Sequence, residues 1–236
     1  MIRLKSIGLF MLLVLLAGCA ESGDEQMQPP VYLVRITTQD VVGSGVIYSV
    51  ENGWVNVLTA AHVVENMSAA RPAESDVAAM DTGEEDYRGA EITFYDGKKV
   101  FCRDILLSEL ADLAMLRISI AQFTDDELES YCYVPVDKES FDALCAEDVC
   151  TSVGFGPGGE VLRYEGRILE PWIYMEDYGQ YMIWAGADIR SGMSGGGLLD
   201  QNGCLIGILS GGSEDGELAA VPYSLVLQFI ETIENF

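Results

Sequence analysis

From residue 31 onward the chain is a succession of short apolar runs, each broken by glycine or a polar pair. Segments 31–38, 44–50 and 54–60 are rich in Val, Ile, Thr and aromatic residues and are separated by Gly or Asn-Gly. β-Branched runs bounded in this way predict strands. Glu91–Tyr95 and Lys98–Leu106 flank Asp96-Gly97 and predict a hairpin, because that pair suits a tight turn with positive φ. A further strand is expected near 112–118, then a polar stretch over 122–130, then strands at 150–155, 160–170 and 180–186. Leu198–Leu199 and Cys204–Leu209 enclose Asp200-Gln201-Asn202-Gly203, a second hairpin signal. The end differs: Leu225, Phe229, Ile230 and Ile233 recur at helical spacing behind Pro222, which predicts an amphipathic helix over 223–235. No repeat of fixed period is present. Many short strands joined by turns imply an all-β sandwich or barrel, split near 122–131 into two units of about 100 residues.

Composition narrows what such a fold can do. The 236 residues are 49% hydrophobic and 22% charged, which suits a globular protein. The formal net charge of −25 sets the chain against nucleic acid and bare phosphate as partners. A single histidine excludes three-histidine zinc chemistry. Residues 70–90 read as a long acidic loop carrying Glu74, Asp76, Asp81, Glu84, Glu85 and Asp86. Their spacing matches no calcium motif, so they read as solvated charges, and no metal or cofactor is expected.

The N-terminus reads as an address. Arg3 and Lys5 precede an uncharged run of 11 residues, Ile7–Ala17, too short to span a bilayer stably but suited to a signal-peptide core. Leu16-Ala17-Gly18-Cys19 resembles the lipobox of bacterial lipoproteins. The resemblance implies removal of residues 1–18, diacylation of Cys19 and a membrane contact through that lipid. Loss of Arg3 and Lys5 would take the formal charge from −25 to −27. Residues 19–30 are acidic, end in Pro29-Pro30 and read as a tether. Export favours disulfides among Cys102, Cys132, Cys145, Cys150 and Cys204. Cys145 and Cys150 are close enough in sequence to close a small loop, and the odd count leaves at least one thiol unpaired.

Three short motifs carry chemistry. His62 follows the small residues Thr59-Ala60-Ala61 at the end of an apolar run, where an imidazole can reach a neighbour. Asp112 sits inside Leu110-Ala111-Asp112-Leu113-Ala114, and a carboxylate there is costly unless hydrogen-bonded. An imidazole N–H beside it would satisfy it and fix the ring's tautomer. Ser194 lies in Gly192-Met193-Ser194-Gly195-Gly196-Gly197, where glycines allow a sharp turn and leave the N–H groups of Gly192 and Ser194 to hold an oxyanion. Residues 192–196 also satisfy the G-x-S-x-G pattern of α/β-hydrolases, but those need a histidine after the serine, and none follows Ser194.

Taken together, Thr59-Ala60-Ala61-His62, Asp112-Leu113-Ala114 and Gly192-Met193-Ser194-Gly195-Gly196 resemble the three signatures of trypsin-like serine proteases, over roughly 31–236. The resemblance implies two antiparallel six-stranded β-barrels of chymotrypsin type with the site in the cleft between them. The first barrel would span about 31–125, the second about 130–221, and a C-terminal helix 222–236. His62, Asp112 and Ser194 would form the triad. The high-temperature-requirement bacterial branch is the nearer likeness: there is no Ile-Val-Gly-Gly start, and Met193 stands where zymogen-type enzymes carry an aspartate. With Phe236 as the last residue read, the PDZ domain usual in that branch is not expected. Asp188, six positions before Ser194, corresponds to the specificity-pocket floor of trypsin-like enzymes and would select Arg or Lys through a buried carboxylate. Ser210-Gly211-Gly212 resembles the strand that pairs with the substrate backbone. The expected function is a serine endopeptidase of the bacterial envelope acting on protein or peptide, tethered by Cys19. Without an aspartate after Cys19, it would face the periplasm from the outer membrane in a Gram-negative cell. The alternative is a catalytically silent, protease-like lipoprotein that binds peptide or a partner.

Overall fold

The computed structural model describes residues 30–68, 89–213 and 215–234. The segment 1–18, Cys19, the tether up to residue 29 and the acidic loop at 74–86 lie outside those residues.

The N-terminal half holds β1 (Leu33–Thr37), β2 (Val42–Glu51), β3 (Trp54–Thr59), α1 (Ala61–Ser68), β4 (Ala90–Thr93), β5 (Lys99–Cys102), β6 (Asp104–Leu107) and β7 (Ala114–Ser119). Sheet order is β5-β4-β1-β2-β3-β7-β6, all antiparallel. Where six strands are expected, seven occur, because Arg103 alone interrupts the run between β5 and β6. The two halves of this bent strand stand at opposite ends of the sheet order, so the bend brings the sheet round on itself as a sixth strand would. Val34, Ile36, Ile47, Val55, Val57, Ile92 and Leu116 fill the interior.

α2 (Asp125–Ser130) and α3 (Lys138–Asp142) bridge to the second half. The polar stretch over 122–130 hid a helix start: the Thr124 hydroxyl accepts from Glu127 N–H, and the Glu127 carboxylate accepts from Thr124 N–H. This reciprocal cap satisfies two donors that a short helix would otherwise leave open.

The second half is a closed barrel of β8 (Val149–Phe155), β9 (Val161–Met175), β10 (Gln180–Gly186), β11 (Gly197–Asp200), β12 (Leu205–Gly212) and β13 (Leu218–Pro222), ordered β10-β13-β12-β11-β8-β9. β13 occupies residues that the sequence reading passed over as the approach to the final helix; it is wholly buried between β10 and β12. Pro222 is tolerated as its last residue, where no further ladder bond is needed. α4 (Tyr223–Glu234) then packs Val226, Phe229 and Ile230 inward.

A third core joins the barrels. Leu33, Val46 and Leu58 of the first half meet Val153, Phe155, Met182 and Ile208 of the second, with Val226 and Phe229 of α4. Each such large side chain contributes about 1.5–3 kcal/mol on burial, which fixes the two barrels against one another. Cys102, Cys132, Cys145, Cys150 and Cys204 are all free thiols. Burial pushes Cys102 and Cys150 up to about 11, so both stay protonated and inert.

Candidate active site

Strand register brings the first two chemical residues together. β3 pairs with β7 so that Thr59 faces Ala114. In an antiparallel pair, residues just past the end of one strand lie beside those just before the start of the other. His62 lies past Thr59 and Asp112 before Ala114. His62, expected at the end of the strand over 54–60, lies just past it in the first turn of α1; Asp112, expected inside a strand, is in the bend ahead of β7. A regular strand would alternate Asp112 across the sheet, whereas the bend aims its carboxylate along the edge. Val63 and Val64, fully buried, anchor the turn of α1 that carries His62.

The contact is bidentate. His62 Nδ1 meets Asp112 Oδ2 at 2.8 Å, and the His62 backbone N–H donates to Oδ1 at 3.0 Å. The Asp112 hydrogen bond, its largest influence, raises the His62 pKa against an opposing desolvation. Burial pushes the Asp112 carboxyl up, but the bonds from His62 and Ser210 outweigh it and hold the carboxyl below its usual value.

A second hairpin positions Ser194 by the same logic. Gly197 of β11 faces Ile208 of β12. Beyond that pair, Gly195 N–H donates to Leu209 O at 2.7 Å and Leu209 N–H to Gly196 O at 2.9 Å. Ser194 therefore lies beside Ser210, and its hydroxyl donates to the Ser210 carbonyl at 3.3 Å. The Ser210 hydroxyl in turn donates to Asp112 Oδ2. Ser210 thus holds both sides of the cleft between the barrels: its hydroxyl bonds the Asp112 that meets His62, and its carbonyl accepts from Ser194. Among the described residues Ser194 makes no hydrogen bond to His62.

The loop before Ser194 is a turn closed by Met193 N–H donating to Arg190 O at 3.0 Å, with Gly192 at φ +93. Only glycine takes that third position of a type II turn without strain. Among the described residues the N–H groups of Gly192 and Ser194 have no acceptor. The first barrel pins this loop. Ser44 N–H donates to Ser194 O at 2.8 Å, Ser44 Oγ donates to Gly192 O at 2.7 Å, and Phe155 N–H donates to Ser44 Oγ at 2.8 Å. Gly195, at φ +84, lies so close to the Thr59 hydroxyl and the Ser44 carbonyl that any side chain would collide with them.

Asp188 departs from the expectation of a buried carboxylate awaiting a cationic side chain. Its Oδ2 already meets Arg190 at 3.1 Å, and the two side chains are 41% and 57% exposed. The neighbouring Ile189 projects inward instead: its Cγ2 occupies the space that a Cβ on Gly212 would need.

Four residues that the sequence reading did not single out complete the site. They are Ser44, Ile189, Tyr178 and Gln180, whose Oε1 accepts from Asp112 N–H at 3.1 Å. For Ser44 a signal existed in Gly43-Ser44-Gly45, a polar residue between glycines inside an apolar run. For the others the contact crosses many residues and leaves no local trace. Among the described residues no group of His, Cys, Asp and Glu is arranged to hold a metal ion, and no helix is long and apolar enough to cross a membrane.

Comparison with known proteins gives a consistent family and fold. The model of the trypsin-like peptidase domain matches residues 43–208. No curated protein matches the chain. Among solved structures, the HtrA-type protease AlgW with a tripeptide is similar at TM-score 0.64 and 22% identity, over 87% of this chain and 61% of AlgW. The inactive Ser343Ala form of Rv3671c from M. tuberculosis H37Rv is similar at TM-score 0.61 and 18% identity, over 86% and 87%. A serine endoprotease from Yersinia pestis is similar at TM-score 0.60 and 21% identity, over 87% and 63%. The chain thus spans about three-fifths of the HtrA-type chain it matches, and at these identities the likeness is one of fold.

Proposed function

The chain belongs to the trypsin-like peptidase domain family, a family of serine endopeptidases, and from that premise we propose that it cleaves peptide bonds with Ser194, His62 and Asp112. Ser194 Oγ attacks the carbonyl carbon, His62 Nε2 takes the hydroxyl proton, and the same proton passes to the leaving amine as the acyl-enzyme forms. Asp112 keeps Nδ1 protonated and stabilises the charged imidazolium. The N–H groups of Gly192 and Ser194 would hold the oxyanion, each worth about 3 kcal/mol in comparable sites. Water then repeats the sequence on the acyl-enzyme. The carrying observation is that Ser210 bonds both sides of the cleft, its hydroxyl on the Asp112 that meets His62 and its carbonyl on the Ser194 hydroxyl. Turnover requires that the Ser194 hydroxyl leave the Ser210 carbonyl for the imidazole.

The strand Ser210-Gly211-Gly212 would pair with the substrate backbone. Ile189 against Gly212 favours a compact apolar side chain beside the scissile bond over the Arg or Lys first expected of Asp188. The lipobox resemblance supports tethering through Cys19 and a place in the bacterial envelope, facing the periplasm. That reading is checked by metabolic labelling with a palmitate analogue, which should require Cys19.

A fluorophosphonate probe tests the activity. Labelling of the native chain that is lost in Ser194→Ala, with an unchanged melting temperature, is the expected result. No labelling under any condition would favour a catalytically silent, peptide-binding protein, a reading that draws on the resting bond of Ser194 to Ser210 instead of His62.

A further inference from the structure

The hairpin between β9 and β10 reaches into the cleft. Its tip is set by Gly179 at φ +65, with Tyr178 N–H and Gly179 N–H both donating to Met175 O, at 3.2 and 2.9 Å. Two residues of this hairpin turn toward the site. Gln180 accepts from Asp112 N–H, which ties the hairpin to the triad acid. Tyr178 brings its hydroxyl to 2.5 Å from where a Cβ on Gly211 would stand, with its ring carbons next at 3.6 Å. The side-chain space of Gly211 is thus filled by a phenol from another element. Tyr178 as a residue remains 37% exposed, so the strand covers it only in part. The Asp112 charge lies near enough to help raise the Tyr178 pKa, after burial. The phenol is therefore neutral, and an acidic substrate side chain at this spot would meet Asp112.

We infer that Tyr178, standing in for the missing side chain of Gly211, forms the apolar wall that selects the second substrate residue before the scissile bond. The inference rests on the peptidase reading for the direction of the bound chain. If the Ser210 carbonyl takes the N–H of the residue beside the scissile bond, antiparallel pairing sets the preceding residue opposite Gly211. Its side chain then lies against the Tyr178 ring. A ring wall without charge of its own suits a branched aliphatic side chain such as leucine.

Peptide binding to the Ser194→Ala chain tests this whether or not the native serine turns substrate over. Two otherwise identical hexapeptides, with Leu or Gly at that position, are compared by fluorescence anisotropy. Leu should bind about tenfold more tightly, within the range expected of an apolar pocket. Adding Tyr178→Ala should remove the difference, and Tyr178→Phe should keep it. Gly211→Ala, which drives a methyl group into the Tyr178 hydroxyl, should remove it while circular dichroism shows the fold retained. Equal binding of the two peptides, or an unchanged ratio in Tyr178→Ala, would overturn the inference. Fluorophosphonate labelling of the native chain decides the peptidase reading separately.

Discussion

The two sides of the cleft differ in how completely their polar groups are satisfied. On the acid side, Asp112 accepts from the His62 ring, the His62 backbone and Ser210, while its own N–H donates to Gln180. On the nucleophile side, Ser194 makes one 3.3 Å hydroxyl bond, and two neighbouring N–H groups have no acceptor among the described residues. Buried main-chain donors in folded proteins are nearly always paired, so two without a protein acceptor are free to meet a ligand or solvent. The acid side is therefore the more completely bonded of the two, and on the peptidase reading the two N–H groups beside Ser194 are the donors a substrate carbonyl would meet. Each side is also held by the opposite barrel: Ser210 and Gln180 hold Asp112, and Ser44 holds the Ser194 loop. Neither barrel could present this chemistry alone.

The largest effect should come from spoiling the saturated side. Asp112→Asn leaves the shape but gives the imidazole the wrong tautomer, and turnover should fall by about ten-thousand-fold. The pH profile sharpens the point. Asp112 raises the His62 pKa, so activity, which needs the neutral ring, should rise with pH through a value above that of ordinary histidine. In Asp112→Asn the inflection should move down. The stability linkage has the matching sign. A raised His62 pKa stabilises the fold below the unfolded histidine value and loses that effect as pH climbs through the folded one. A lowered Asp112 pKa stabilises above the unfolded carboxyl value and loses the effect as pH falls through the folded one. The pair should thus stabilise most between those limits, as thermal melts across pH would reveal.

Ser44→Ala attacks the Ser194 side from behind. It strips partners from Gly192 O and Phe155 N–H, both buried at the barrel interface, at a cost of about 1–3 kcal/mol. Labelling by fluorophosphonate should slow by roughly tenfold, the 1.4 kcal/mol equivalent of that loosening, because the Gly192 turn is no longer pinned. A melting curve and a labelling rate on the same variant check both figures. An unchanged rate would mean that the turn closed by Arg190 and Met193 holds its shape unaided.

The same contrast explains what was legible in the sequence. Alternation and turn pairs predicted most strands, and chain order together with short glycine-flanked motifs pointed to His62, Asp112 and Ser194. Those signals are local, so a single pass along the chain can read them. Asp112 reads as strand because Leu113–Leu116 continues its apolar run; the bend that frees its carboxylate is held by the Ser108 hydroxyl and by Gln180, 68 residues away, which takes the Asp112 N–H. β13 was missed because Leu218-Ala219-Ala220-Val221, buried on every side, carries no alternation to read. Ser44 and Tyr178 act on glycines from the opposite barrel or another hairpin, and only the fold brings them into register.

The smallest effect should come from Asp188. A buried carboxylate at the floor of a specificity pocket would make cleavage after Arg or Lys depend on it by orders of magnitude. Here the carboxylate is solvent-facing and already paired with Arg190, an arrangement worth about 0–1 kcal/mol. Asp188→Asn should therefore change kcat/KM by less than about fivefold on peptides with Arg, Lys or Val beside the scissile bond. The nearby Ile189 gives the contrasting result. Ile189→Ala removes the branch that fills the space next to Gly212 and should widen acceptance towards larger apolar side chains. A collapse of Arg and Lys cleavage in Asp188→Asn, with Val unaffected, would mean that substrate displaces Arg190 from the carboxylate, and the charged pocket would then replace the aliphatic one as the basis of specificity.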